Sequence, residues 1–191
     1  MSVIAKDEQK QFHLPPTGNQ QAVCFDVWDV GLQESTWGDE KKVQHKVWIA
    51  WELEERISSD DEFNGQRHRI HKKYTLTLGD KATLNKDLSS WRGRPFTDEE
   101  KKGFDLEKLI GINCLLNIIH NKDGDKTYAN IAAVAPLPKG LTKIAPENKR
   151  SVPEWIKKQR EKAVNSLEEN DATESAEMVG DPFGEEDEVP F

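Results

Sequence analysis

The sequence predicts an all-β domain of five strands with a helical insertion, followed by a C-terminal helix and an acidic segment. Three stretches alternate between apolar and polar residues, a helical spacing follows them, and an apolar run then leads into a hairpin turn. The basic residues stop at Lys162. With 191 residues, the chain can hold one domain and its appendages.

The first three strands are predicted over residues 21–33, 43–57 and 67–78. In the first, Cys24 and Phe25 are both apolar, so the register is ambiguous. One face of the second strand carries the apolar residues Val43, Val47, Ile49, Trp51 and Leu53. The third strand has Ile70, Tyr74, Leu76 and Leu78 on one side and Arg69, His71 and Lys73 on the other.

The spacing then changes to that of helices. Leu84, Leu88 and Trp91 are separated as i, i+4 and i+7, and Gly93 with Pro95 ends this helix. Residues 97–100 have the Thr-x-x-Glu pattern of a capping box. A further short helix is expected over residues 105–110, closed by a glycine.

A closing hairpin completes the domain. Residues 112–120 form an apolar run, residues 121–125 contain an Asp-Gly turn, and residues 127–134 form the last strand. Three strands, a helical connection and a hairpin follow the order of an OB-fold barrel. Other small barrels and some α+β domains share this order and stay open as alternatives.

The composition divides the chain into four parts. Residues 1–14 are predicted to be an N-terminal arm and residues 15–138 the barrel. A linker and a helix that begins with Ser-Val-Pro-Glu occupy residues 139–167. That helix either docks on the barrel or remains a marginal linker. Residues 168–191 have the composition of a disordered acidic tail.

The negative charge of the chain is concentrated near its C-terminus. Residues 151–191 hold 12 acidic and 4 basic residues, which equals the net charge of −8 of the whole chain. Residues 1–150 are therefore balanced, and the acidic total does not exclude nucleic-acid binding by the domain.

The sequence also indicates the compartment. Cys24 and Cys114 both lie in apolar runs and are expected to be reduced core thiols. No signal peptide and no apolar stretch of membrane-spanning length is recognisable. We therefore expect a cytoplasmic protein without a membrane partner.

Basic and aromatic residues occur together in the pattern that single-stranded nucleic acids require, with cations for phosphates and rings for bases. The second and third strands and the turn after the first helix supply most of them. The candidate DNA-binding residues are Lys46, Trp48, Arg69, His71, Lys73, Arg92, Arg94 and, before the first turn, Trp37.

Structural roles compete with binding at several of these positions. A basic strand face is often only a solvated one. Trp48 can instead pack under the 58–66 loop or under the helix that carries Trp155, and Tyr74 is expected in the core. No motif for a metal, a cofactor or a catalytic nucleophile is recognisable, so no enzyme is predicted.

The last five residues, Asp187, Glu188, Val189, Pro190 and Phe191, resemble the acidic tip of bacterial single-stranded DNA-binding proteins. Residues 86–97 and 110–117 are similar to segments of phage single-stranded DNA-binding proteins found with recombination functions. The resemblance implies binding of single-stranded DNA in the bacterial host cytoplasm during replication, recombination and repair. It also implies that the tip recruits replication and recombination proteins.

Two other functions stay open. An adaptor or DNA-mimicking anti-host protein would bind a basic protein cleft and ignore nucleic acid, although the balanced domain disfavours it. A subunit of a nucleic-acid enzyme is disfavoured because no carboxylates cluster with metal spacing. The sequence does not decide the oligomeric state, and a homo-oligomer stays open.

Overall fold

The computed structural model describes residues 13–37 and 40–163, without the side chains of residues 35–37 and 40. Five strands dominate it: β1 (Gly18–Trp37), β2 (Glu40–Arg56), β3 (Arg67–Thr75), β4 (Asn113–Asp123) and β5 (Lys126–Pro136). Between β3 and β4 lie α1 (Thr83–Arg92), α2 (Asp98–Lys102) and a 3-10 helix (Leu106–Leu109). A last helix, α3, covers residues 154–163 of the described chain.

The strands form one antiparallel sheet in the order β3-β2-β1-β4-β5. β3 and β5, which stand at opposite ends of this order, also contact each other. The sheet is therefore curled into a barrel-like, mostly β fold, as the sequence predicted. In the described residues, no helix has the length and apolar character that crossing a membrane requires.

The inner face of the curled sheet holds the main core. Ile49, Trp51 and Leu53 of β2 are at most 1 % exposed, which confirms their predicted face. Val43 of the same predicted face is exposed, because the β1–β2 hairpin extends beyond the core. Tyr74 is buried in the core, and its hydroxyl donates to Asp87 at 2.8 Å.

Helix α1 closes this core between β3 and β5. Leu84, Leu88 and Trp91 are buried, which confirms the predicted helical spacing. Gly93 ends α1 with a φ of 71°, a left-handed conformation that glycine adopts without a steric penalty. The predicted capping box is present at the start of α2, where Thr97 and Glu100 bond each other's backbone N–H groups. Cys24 and Cys114 are free and buried.

Two bulges interrupt β1, where the register against β2 shifts between Cys24 and Asp26 and again between Asp29 and Gly31. A bulge adds one residue and so breaks the two-residue alternation. The first bulge places the consecutive residues Phe25 and Asp26 on the same, outer side of the sheet. Cys24 belongs to the main core, whereas Phe25 packs in a second cluster on the outer side of the sheet.

After β5, residues 139–153 run across the outer side of the sheet, and we call this segment the strap. Buried polar side chains of the sheet bind its backbone. Asn113 exchanges two hydrogen bonds of 2.9 Å with Ile144, and Glu52 accepts from the N–H groups of Glu147 and Asn148. Asp26 then accepts from the N–H of Ser151 at 3.0 Å, just before α3 begins.

Candidate nucleic-acid interface

The outer face of β1, β2 and β3 brings together most of the candidate residues. Pairing places Trp28, Trp48 and Lys73 in one row across the three strands, and Asp26, Ala50 and His71 in the next. Glu52 and Arg69 form a third row on β2 and β3. Side chains that face each other in an antiparallel pair share one side of the sheet, so Arg69, His71 and Lys73 line one edge of this face.

Three cations on this face have no carboxylate partner among the described residues. Lys46 donates to the oxygens of Gln44 and Thr75, and Lys73 lies over the ring of Trp48 at 5.8 Å. Arg69 is exposed and forms no described hydrogen bond or ion pair. Burial, together with the charge of Lys46, lowers the pKa of Lys73. The face therefore carries positive charge that an anion from outside would stabilise.

Trp48 lies within a cluster of aromatic rings. Its ring centre is 5.0 Å from that of His71 and 5.2 Å from that of Trp155 on α3. Its indole N–H donates to Oε1 of Gln159, also on α3, at 3.2 Å. The ring is only partly exposed. Of the three alternatives for Trp48, the structure therefore supports packing under the Trp155 helix.

Helix α3 docks on this face through few apolar side chains. Ile156 is fully buried in the outer cluster with Phe25, Trp28, Val30 and Ala50. Complete burial of such a side chain contributes about 1.5–3 kcal/mol. Nε of Arg160 also donates to the backbone carbonyl of Asp29 at 2.6 Å. A helix of this length is marginal alone, so the packing on the sheet stabilises it.

His71 occupies the centre of the aromatic cluster. Its ring lies 5.0 Å from the Trp155 ring with an angle of 31° between the planes, close to a stacked arrangement. His71 keeps an exposed edge, and the partial desolvation of its imidazole by these rings, with a smaller contribution from the charge of Arg69, lowers its pKa. The imidazole is therefore held as a neutral ring, which suits stacking better than ion pairing.

Two clefts lie along β3. One, of about 480 Å³, lies beside the loop between β2 and β3, and its lining includes Phe63, Arg67, Arg69, His71 and Trp155. The other, of about 830 Å³, lies at the opposite end of β3 and is lined by Lys46, Lys73 and residues of the segment that leads to α1. Both clefts combine cations with apolar or hydroxyl groups.

Arg92 and Arg94 are placed elsewhere, at the end of α1. Both guanidinium groups bond the carboxylate of Glu100, in the case of Arg94 at 2.8 and 3.0 Å. Arg92 also lies over the ring of Phe96 at 4.2 Å. The bonds from Arg94, Arg92 and the Thr97 N–H hold the pKa of Glu100 well below its usual range. Both arginines are thus engaged within the fold, and the single carboxylate neutralises one of their two charges.

The remaining sequence candidates are only partly covered by the structure. Trp37 ends β1 and pairs with Glu40, but its side chain lies outside the described part. Asp187 to Phe191 also lie outside the described residues, as does the whole predicted tail.

The structure adds residues that the sequence reasoning did not select. Trp155 and Gln159 reach the face from α3, and their signal was an aromatic residue at the start of an amphipathic helix. Asp26 and Glu52 are buried beneath the strap, and their signal was an acidic residue within an otherwise buried strand. In the described part of the chain, no group of three potential ligand side chains could hold a metal ion. No family model, curated protein or solved structure matches the chain.

Proposed function

We propose that the protein binds single-stranded DNA on the outer face of β2 and β3, as an OB-fold protein of the phage single-stranded DNA-binding type. The strand order, with β3 next to β5, supports the OB-fold assignment because that fold closes its barrel between these two strands. OB-folds bind oligonucleotides on the face of strands 2 and 3.

The observation that carries this proposal is the uncompensated charge of Lys46, Arg69 and Lys73. Several cations elsewhere in the fold, such as Arg56, Lys72 and Arg94, have carboxylate partners within 2.8 Å. A row of cations without such partners, beside partly exposed rings, is the arrangement that phosphates and bases require. Arg69 and Lys73 are four residues apart on β3, which spans about 13 Å.

In this proposal the cations bind phosphates and release counterions, which makes the affinity depend on salt. The neutral rings of the aromatic cluster provide apolar surface for bases. The contacts distinguish unpaired bases from duplex DNA, because rings can stack only on bases that are unstacked from their neighbours. We propose a binding role without catalysis.

A second part of the proposal concerns the acidic segment beyond α3. We propose that Asp187 to Phe191 recruit replication and recombination proteins, with Phe191 inserted into an apolar pocket and the carboxylates paired with basic residues. The support for this part is the sequence alone, since these residues lie outside the described chain.

The direct test is fluorescence anisotropy with labelled single-stranded DNA, duplex DNA and RNA of equal length and mixed sequence. We expect tightest binding to the single strand, with log K falling against log salt by about 0.7 for each phosphate contacted. With three cations engaged, the slope is expected near −2.

Absence of binding in dilute buffer, or a slope near zero, would refute the DNA-binding proposal. In that case a pull-down with the intact chain would test the adaptor function, which requires a protein partner and no nucleic acid.

A further inference from the structure

The smaller cleft beside α3 combines rings and cations in the way that a single unpaired nucleotide requires. Its volume is about 480 Å³. Phe63 from the loop between β2 and β3 lines one side, and Trp155 lines the side formed by α3. His71 and Arg69 of β3 also contribute to its wall. The cleft thus has apolar ring surface and a cation with no carboxylate partner among the described residues.

Trp48, the ring that the sequence favoured for stacking, does not line this cleft. It is packed against Trp155 and His71, and its N–H is bonded to Gln159. Trp155 does line the cleft and is partly exposed. The indole ring that is accessible to a ligand at this position therefore comes from α3, outside the five strands.

A buried donor gives a second, independent indication of a ligand. Nε of Arg67, which lines the same cleft, is buried and has no hydrogen-bond partner among the described residues. The Arg67 side chain is only 9 % exposed. An unsatisfied buried donor is costly, and a carbonyl or phosphate oxygen of a ligand would relieve that cost.

We propose that this cleft binds one unpaired base of the DNA strand, with Trp155 as the contacting ring and Arg69 as the nearest cation for its phosphate. This inference rests on the proposed DNA-binding function and deepens it. α3 is then part of the binding site and not only a support for the sheet. The contribution is specific to the base, because a ring contacts the base while the cations contact the phosphates.

The test compares a thymidine decamer with an abasic decamer of the same charge, using the intact chain and its variants in fluorescence anisotropy. We expect the wild type to prefer the thymidine decamer. Trp155→Ala is expected to lose roughly 5- to 150-fold in affinity for thymidine, the range of one stacked base, with little change for the abasic decamer. The preference for bases then shrinks or disappears.

Three further variants separate contact from support. Trp155→Phe keeps a ring and is expected to retain most of the base preference. Gln159→Ala removes the bond to Trp48 but leaves the cleft lining intact, so the preference should be unchanged. Phe63→Ala removes a ring from the opposite wall without touching α3, and it should reduce the preference even if Trp155→Ala were to unfold.

The outcomes distinguish this inference from the proposed function. If the wild type binds neither decamer, the DNA-binding function itself fails. If the wild type binds DNA but Trp155→Ala and Phe63→Ala keep the full base preference, only the cleft assignment fails. Tighter binding by Trp155→Ala would also overturn it, because α3 would then be a cover that DNA displaces.

Discussion

Two basic regions of this protein differ in how the fold treats their charge. At the end of α1, Arg92 and Arg94 share the carboxylate of Glu100. On β2 and β3, Lys46, Arg69 and Lys73 have no described carboxylate partner. The number of basic residues in a segment therefore does not identify an anion-binding surface. Basic residues without a nearby carboxylate are a better sign of an anion-binding surface, since an uncompensated cation gains more from an external phosphate.

Beneath the strap, the negative charge of Glu52 is compensated by neighbouring donors. This fully buried carboxylate accepts two backbone N–H groups and lies 3.7 Å from Arg67. We expect Glu52→Ala to lower the free energy of unfolding by about 3 kcal/mol, because two backbone donors lose their acceptor and Arg67 keeps only Glu147 as a carboxylate partner. Chemical denaturation measures this. The exposed neighbour Glu54→Ala is the control, expected within about 0.5 kcal/mol of the wild type. Equal losses would show that Glu52 does not hold the strap.

The uncompensated face is tested by the pair Lys46→Ala and Lys73→Ala. We expect the double variant to lose roughly tenfold or more in affinity for single-stranded DNA at low salt. Its salt slope should become shallower by about 1.4, for two lost phosphate contacts. The matched control is Lys122→Ala with Lys126→Ala, two exposed lysines near the β4–β5 turn with the same change in charge. Similar losses in both double variants would mean that overall charge, and not this face, determines binding.

The arginines at the end of α1 provide the opposite test. Because Glu100 already engages its guanidinium group, Arg94→Ala is expected to change the DNA affinity by no more than about twofold. Arg69→Ala removes the same side chain from the uncompensated face and should make the salt slope shallower by about 0.7. Both are measured by anisotropy at several salt concentrations. A larger loss for Arg94→Ala than for Arg69→Ala would reverse the comparison.

The smallest effect concerns pH. The pKa of His71 is lowered from 6.5, so protons bind preferentially to the unfolded chain. Its contribution to stability is therefore present above about pH 6.5 and is lost as the pH falls below that value. We expect His71→Gln to reduce the fall in melting temperature between pH 7 and pH 5. Some loss should remain, because the pKa of His68 is lowered in the same direction. An unchanged fall would exclude His71 as a contributor.

Local patterns in the sequence were enough for the strands and for α1. Ile49, Trp51 and Leu53 alternate with polar residues, and Leu84, Leu88 and Trp91 have helical spacing, so the side that each element buries could be predicted. The ends of β1 and β2 could not, because polar residues such as Ser35 and Lys42 pair there and leave no apolar pattern in the sequence.

The candidate site was predictable only where it depends on one strand. Arg69, His71 and Lys73 share a side because β3 alternates, and pairing with β2 adds Trp48. The docking of Trp155 on His71 joins residues that are 84 positions apart in the sequence, and no local pattern encodes such a contact. The pairing of Arg94 with Glu100 depends on how the α1–α2 turn folds, so the spacing alone did not show that this charge is compensated.

The two bulges of β1 mark the positions where this strand can lose one residue and keep its register against β2. Each adds one residue that turns an apolar side chain, Phe25 or Val30, toward the outer cluster while the flanking residues keep their sides. Deleting either residue would restore regular alternation with the flanking side chains still on their sides, whereas a deletion elsewhere in β1 would exchange core and outer positions on one side of the cut. A relative that lacks position 25 or 30 is therefore expected to keep the core face of β1 and to lose only part of the outer cluster on which α3 docks.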